Sequence, residues 1–438
     1  MTLRRRDFLA LSGLVGLSAA ATACGSGVLE EPDVTRAGFG TDAAGTVTMW
    51  CRGATAAGVQ VAVDRFHAAQ DRLHVDLTPV PDAQYVTKLA TAIRGRRVPD
   101  LVDIDDINSQ LFIYRGVFTD LTPLVDALPY RKSLSPGHLG LATRNGRRYG
   151  VPYLADNSVL WYNTDLLDRA GVDPAKATGS FDGLLEAAHR VRALGNDIYG
   201  WSIAGNSAGI LGFVVQPHVW ATGTDNISGK IGSQHGHIAD NAPLRRTLEF
   251  YRSMWKDGLI SQAAFSDTGT TWGADFRAGK VGFFPSNYSA AVLAADDTAR
   301  KRTGVSLLCG PDGGSAFFDG GDNFCIPRGA TNASGAWEFA KFALALPQQQ
   351  QIPAGGYTPV RGDAATAAFR QKNPLDVAPL DHLDRGYAPT TLAYNLLFNQ
   401  PDSPWFAMFR RAVFDGDVEG ALQQGQHDFD QILHQAQL

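Results

Sequence analysis

The chain reads as an α/β protein of two domains. From Thr46 onward, short runs rich in β-branched residues alternate with segments whose apolar residues recur at helical spacing. A length of 438 residues with 44% hydrophobic side chains is enough to bury two cores. The opening stretch, Met1–Gly27, has a different character from everything after it.

Arg4, Arg5, Arg6 and Asp7 lead into an uncharged, small and apolar run from Leu9 to Ala23. A basic start, an apolar run of roughly 15 residues and a small-residue exit describe an export signal, too short to span a bilayer. Arg5-Arg6 ahead of Phe8-Leu9 resembles the twin-arginine export motif. Ala21-Thr22-Ala23-Cys24 resembles a lipobox, in which Cys24 would be lipidated and become the mature N-terminus, although Ala21 stands where Leu is usual. Residues 24–45 lack an apolar period and read as a flexible tether.

The folded part opens with a strand, Val47-Thr48-Met49-Trp50-Cys51. Val59, Val63 and Phe66 mark a helix, and Leu73–Leu77 a second strand. Tyr85, Leu89 and Ile93 mark the next helix, and Asp100–Ile104 a third strand running into Asp105-Asp106. Phe181, Leu184, Leu185, Ala188, Val191 and Leu194 form one stripe behind Ser180 as N-cap. Leu244, Leu248, Tyr251 and Trp255 form another, closed by Gly258. Val281–Phe284, Val305–Leu308 and Phe324–Ile326 are later strands, and Trp337–Leu346 is a helix.

Removing the leader takes the net charge from −5 to −7, and no basic face or run appears, which argues against a nucleic-acid partner. No later segment has 18 apolar residues in a row. Cys51, Cys309 and Cys325 remain after Cys24 without a CxxC pair, so no zinc site is expected. Cys309 and Cys325, in neighbouring strand-like runs, are the pair one disulfide would join; three buried free thiols are the alternative. His235-Gly236-His237 lacks acidic partners, and neither a metal nor a cofactor is expected.

Several phrases, in order, resemble the family-1 extracellular solute-binding proteins of ABC importers, the group that includes maltose-binding protein. They are Val47–Trp50, Pro99–Ile104, Gly116–Leu124, Tyr149–Tyr153 and, most specifically, Leu160-Trp161-Tyr162-Asn163-Thr164-Asp165-Leu166-Leu167. The series continues through Phe250–Ile260, Phe276–Phe283, Asp322–Pro327 and Gly356–Arg361. The resemblance implies a two-lobed periplasmic-binding-protein-like fold of type II, with a ligand cleft between lobes joined by a multi-strand hinge. Residues 46–153 plus 304–346 would form lobe one, and 154–303 plus 347–438 lobe two. It also implies a monomer that carries a sugar to the transmembrane subunits of a permease without making or breaking a bond.

A sugar needs planar rings for its C–H faces and charged or amide groups for its hydroxyls. Open α/β sheets bind ligands beyond the carboxyl ends of their strands. Arg52 follows the first strand, and Asp105 and Asp106 follow the third. Asp156 and Asn157 stand where the chain crosses lobes, matching an acidic ligand contact in the family. Ser286-Asn287-Tyr288 replaces a common Gly-Pro-Trp, so Asn287 would be polar and Tyr288 the stacking ring. Asp322 and Asn323 lie in a Gly-rich loop, Arg361 ends a late Pro-Val-Arg phrase, and Trp220 and Trp405 are loop aromatics available for stacking. Asp105 or Asp106 could instead cap the next helix, Asp156 could lie in a solvated turn, Trp405 could anchor a core, and Arg361 could form a salt bridge that braces the hinge.

A neutral saccharide or an amino sugar suits this acid-rich set. A glycerophosphodiester or other phosphorylated polyol, met by Arg52 and Arg361, is the second reading. Gly205-Asn206-Ser207-Ala208-Gly209 fits the G-x-S-x-G elbow of serine hydrolases, with His382 or His427 as later partners, but no HGGG-type loop precedes it. A receptor-signalling binding protein is a third class.

Overall fold

Two mixed sheets, each with its own hydrophobic core, organise the chain; the computed structural model describes residues 29–289, 291 and 295–436. The first sheet runs Thr358–Pro359, Val151–Ala155, Gly321–Cys325, Leu101–Asp105, Gly45–Arg52, Leu73–Val80. The last three strands are mutually parallel, while Gly321–Cys325 is antiparallel to both of its neighbours. The second sheet runs Leu308–Gly310, Gly313–Phe318, Ser158–Asn163, Val281–Asn287, Tyr199–Trp201. Thr303–Ser306 and Gly386–Tyr387 attach to it through Ser158–Asn163 and Gly313–Phe318.

The alternation in Gly45–Arg52 sends Val47, Met49 and Cys51 inward, as the period-2 pattern requires. The helix Phe181–Arg192 buries Phe181, Leu184, Ala188 and Val191, and Ser180 Oγ accepts from Gly183 N at 3.2 Å. Ala242–Lys256 is capped by Asn241, whose side chain accepts from Leu244 N at 2.9 Å. Gly258, just past that helix, has φ +67°, a left-handed conformation that explains glycine there.

The chain crosses between sheets at Asp156-Asn157 and again at Asp319-Gly320. At the second crossing the space is closed: a Cβ on Gly321 would stand 2.2 Å from the Leu154 carbonyl oxygen. This pairing corrects the expected lobe boundaries. Residues 304–318 join the second sheet instead of the first, and Thr358–Pro359 joins the first instead of the second. A run of β-branched residues announces a strand but not which distant strand it will pair with.

Two further expectations change. Residues 29–45 are no free tether: Val34 and Ala43 are buried in the first core, Glu31 pairs with Arg328 at 2.9 Å, and Gly40 N donates to Ser334 Oγ at 2.8 Å. Isolated anchors between turns leave no periodic signal. The expected disulfide also fails, since Cys51, Cys309 and Cys325 are all free and buried. Cys309 belongs to a strand of the second sheet and Cys325 to one of the first. Residues 1–28, with the export motif and Cys24, lie outside the described residues.

Inside the second core, His218 shows how a buried titratable group is accommodated. Its Nδ1 lies 2.6 Å from the Cys309 carbonyl oxygen, which can only accept, so Nδ1 carries the proton. Nε2 then accepts from the Tyr251 hydroxyl at 3.3 Å. Burial pushes this histidine down to about 4. Its stabilising contribution is therefore complete above pH 6.5 and is lost as pH falls through about 4, worth about 3 kcal/mol in all. Urea unfolding followed from pH 7 to 4 should show this loss, and His218→Gln should flatten the slope across that window.

Candidate functional site

The carboxyl ends of Gly45–Arg52, Leu101–Asp105 and Val151–Ala155 lie on one edge of the first sheet, and the antiparallel Gly321–Cys325 begins there. The end of Val281–Asn287 comes from the second lobe to face the same crossing, with Tyr288 N donating to Asn157 O at 3.1 Å. The side chains that follow these strand ends are therefore gathered between the lobes.

Arg52 is the hub. Its Nη2 lies 2.7 Å from Asp322 Oδ1 and its Nε donates to Oδ2 at 3.0 Å, a bidentate pair with a carboxylate that has no exposed surface. Its Nη1 reaches Asp82 at 3.3 Å and Asp105 at 3.8 Å. Burial alone would lower the Arg52 pKa, but the charges of Asp322 and Asp105 outweigh it and hold it well above its ordinary value. Beneath the hub, Asp103 accepts from Thr55 Oγ1 at 2.6 Å, and burial with the Asp322 charge pushes its carboxyl well up.

Asp156 forms the second half of the site. Its Oδ2 accepts from Asn287 Nδ2 at 2.6 Å and Ser289 Oγ at 2.9 Å, and its Oδ1 from Ser289 N at 3.0 Å. Burial raises its pKa, opposed by those hydrogen bonds and by the Arg52 charge. Asp105 does two jobs: it caps the helix Asp106–Tyr114 by accepting from Asn108 N at 3.0 Å, and it presents its other oxygen to Arg52. Asp82 and Asp105 keep exposed side-chain surface and Asp156 is a partly exposed residue, so this face is acidic around one paired cation.

The structure thus brings together Arg52, Asp105, Asp156, Asn287 and Asp322, the last as a fully buried strand residue behind the arginine instead of a loop contact. The remaining candidates face elsewhere. Asn323 is buried in the same strand. Asp106 is buried against His138, whose Nε2 lies 3.4 Å away and equally far from Asp319. Asn157 is buried and donates to Thr358 Oγ1 at 3.1 Å. Trp220 ends the helix Ala208–Trp220, packs on Phe318 and Tyr387, and donates to Asp225 at 2.9 Å. Trp405 lies at the centre of the second core against Phe398. Tyr288 turns its hydroxyl to Asp376 at 3.1 Å. Arg361 sits over the Tyr130 ring, paired with Asp363 at 2.6 Å and donating to Leu344 O.

Sequence reasoning missed Asp82, Ser289, and the Asn395–Asn108 bond of 3.3 Å that joins the two walls. Ser289 was findable, two residues past Asn287 at the end of a strand. Asn395 carries no pattern of its own. Ser207, at the start of its helix, stands six residues beyond the strand Tyr199–Trp201, and no hydrogen bond joins it to a histidine among the described residues, so the sharp elbow is not formed.

Two α/β lobes, repeated crossings of the chain between them and a polar cluster at the strand ends define a two-lobed binding protein of the type II architecture. The chain belongs to the family of bacterial extracellular solute-binding proteins, whose sequence profile matches residues 61–378. Among curated relatives, the diacetylchitobiose-binding protein DasA of Streptomyces coelicolor is 23% identical over 352 residues, 78% of each chain. A lactose-binding protein of Rhizobium radiobacter is 27% identical over 235 residues, 52% of this chain and 53% of that one. The sugar-binding protein MalE of Xanthomonas citri superposes with a TM-score of 0.77 at 21% identity, covering 89% of this chain and 98% of its own. UgpB of Mycobacterium tuberculosis, solved with glycerophosphocholine, gives 0.69 at 22% identity over 89% and 99%. Among the described residues, no helix is long and apolar enough to cross a membrane.

Removing the hub should be costly. Arg52→Ala would leave Asp322 buried without its cation and is expected to destabilise the fold by about 3–5 kcal/mol at pH 7 in urea unfolding. Asp82→Ala, which removes a half-exposed partner of the same arginine, should cost less than about 1 kcal/mol.

Proposed function

We propose that this protein is the ligand-capturing component of an ABC importer for a carbohydrate, a neutral saccharide or an amino sugar. The single observation that carries the reading is the acidic strand-end cluster, in which the partly exposed Asp82 and Asp105 and the hydrogen-bonded Asp156 surround one arginine already paired. Carboxylates accept from sugar hydroxyls in charge-assisted bonds, and an ammonium would add an ion pair. Relatives with lactose, arabinooligosaccharide and diacetylchitobiose in their names support the same ligand class. A phosphodiester would need a cation free to meet it, whereas Arg52 and Arg361 are both committed to carboxylates. The lobes close over the ligand, and the closed form delivers it to the permease subunits. No bond is made or broken.

Export by the twin-arginine route and a lipid on Cys24 belong to this proposal, placing the protein on the outer face of the cytoplasmic membrane. Cys24→Ser should move it from the membrane pellet to the soluble exported fraction; retention in the pellet would remove the anchor from the account.

The ligand itself is tested by thermal unfolding of the mature chain against mono- and disaccharides, amino sugars, polyols, glycerophosphodiesters and peptides. A ligand at a hundredfold over its Kd should stabilise by about 2.7 kcal/mol. Asp156→Ala should weaken a sugar by about 1.5–3 kcal/mol, the worth of a hydrogen bond to a charged group. A shift with a phosphodiester alone would reverse the ligand assignment.

A further inference from the structure

Between Asn287 and Ser289, which both bond to Asp156, Tyr288 points away and helps to line a separate cavity of about 670 Å³. That volume is in the range of pockets that hold small organic ligands. One wall is the outer edge of the second sheet, Tyr162 with Thr303–Val305 and the helix ending in Arg300-Lys301. The other is Gln350–Ala354 and Lys372–Asp376, the former following the helix Leu346–Gln349, whose Gln349 is bonded to Tyr153 of the first sheet at 3.0 Å. The cavity therefore touches both lobes, as the cleft does, but from the other side of the Asn287–Ser289 strand end.

Asp376 lines this cavity with 1% of its surface exposed, and its Oδ1 has no hydrogen-bond partner, while Oδ2 accepts from the Tyr288 hydroxyl at 3.1 Å. An unpartnered buried carboxyl oxygen is expensive to maintain and is expected to meet something. Burial pushes this carboxyl up to about 8, so near neutral pH it is largely the protonated acid and Oδ1 can donate. At the mouth, Arg300 pairs with Asp297 at 3.3 Å, but Lys301 and Lys372 are exposed and make no ion pair among the described residues. Tyrosine rings, a neutral carboxyl donor and two uncommitted ammonium groups converge on one space.

We propose that this cavity is a second ligand site, for a small hydroxylated anion of the size and kind of a hexose phosphate. The ammonium groups of Lys301 and Lys372 meet the anionic end, the Asp376 carboxyl and Thr303 meet hydroxyls, and Tyr162 and Tyr288 cover the C–H face. This site stands apart from the proposed sugar cleft, whose acidic lining would repel such a ligand.

The test is calorimetric titration of the mature chain with D-glucose 6-phosphate and, separately, with inorganic phosphate. The sugar phosphate should bind, and Lys301→Ala/Lys372→Ala, changes at two exposed side chains that leave the cores untouched, should weaken it by roughly tenfold or more, about 1.4 kcal/mol. Asp82→Ala, at a cleft carboxylate that contacts only Arg52 and Ala54, should leave it unchanged, so that failure of the sugar cleft and failure of this site read out separately. Inorganic phosphate should bind more weakly than the sugar phosphate. The proposal is overturned by no binding at about 10 mM, well beyond the affinity of a functional site. Binding indifferent to the double lysine variant, or lost on Asp82→Ala, also overturns it, as does inorganic phosphate binding as tightly as the sugar phosphate.

Discussion

The bidentate pair between Arg52 and Asp322 ties the functional edge of the first lobe together. Arg52 comes from the last position of one strand and Asp322 from near the start of another, with Leu101–Asp105 between them in the sheet. Asp322 has no water around it, so its charge is tolerable only while the guanidinium is there. The same guanidinium reaches Asp105 and Asp82, fixing the carboxylates that look into the cleft. Fold stability and site geometry thus rest on one side chain, and neither can be changed without the other. The arrangement also fixes the sign of the cleft: the cation is consumed internally, and what faces a ligand is acid.

The crossings between lobes show the same economy. Asp319, at the second crossing, is buried, accepts from the Ser135 hydroxyl and lies 3.4 Å from His138 Nε2. Its backbone N–H donates to Tyr387 O at 2.8 Å, in the strand that extends the second sheet. Asn157, at the first crossing, is bonded to Thr358 in the outer strand of the first sheet. Both crossing residues are bonded to elements of both lobes, so a rotation of the lobes must be absorbed in the few residues between the strands, as hinge motions generally are.

How much of this was legible depended on whether a feature was local. The strand Gly45–Arg52, the stripe on Phe181–Arg192 and the caps Ser180 and Gly258 follow from period and turn chemistry alone. Position after a strand end brings Arg52, Asp105, Asp156 and Asn287 to one edge, because where a strand ends is a property of the sheet. The failures are all long-range. Nothing in Thr303–Phe318 states which sheet it will join. Trp220 and Trp405, flanked by Pro and Gly, look like loop residues, yet one ends a helix and the other lies within one, both with their rings in the core.

The fate of the aromatic residues bears on the ligand. Trp161, Trp201 and Trp405 are fully buried, and Trp220 is nearly so. An indole buried in a core contributes its large apolar area to folding and is then unavailable as a platform for a sugar ring. The cleft residues assembled at the strand ends are instead short and polar: Asp82, Asp105, Asp156, Asn287 and Ser289, with the Asn108–Asn395 bond across the opening. A long oligosaccharide gains much of its affinity by stacking successive rings, whereas a small one gains it from directed hydrogen bonds to a few hydroxyls. Under the function proposed above, a site built from carboxylates and amides on two facing lobes would suit the second kind of ligand, one small enough for both lobes to reach the same sugar unit.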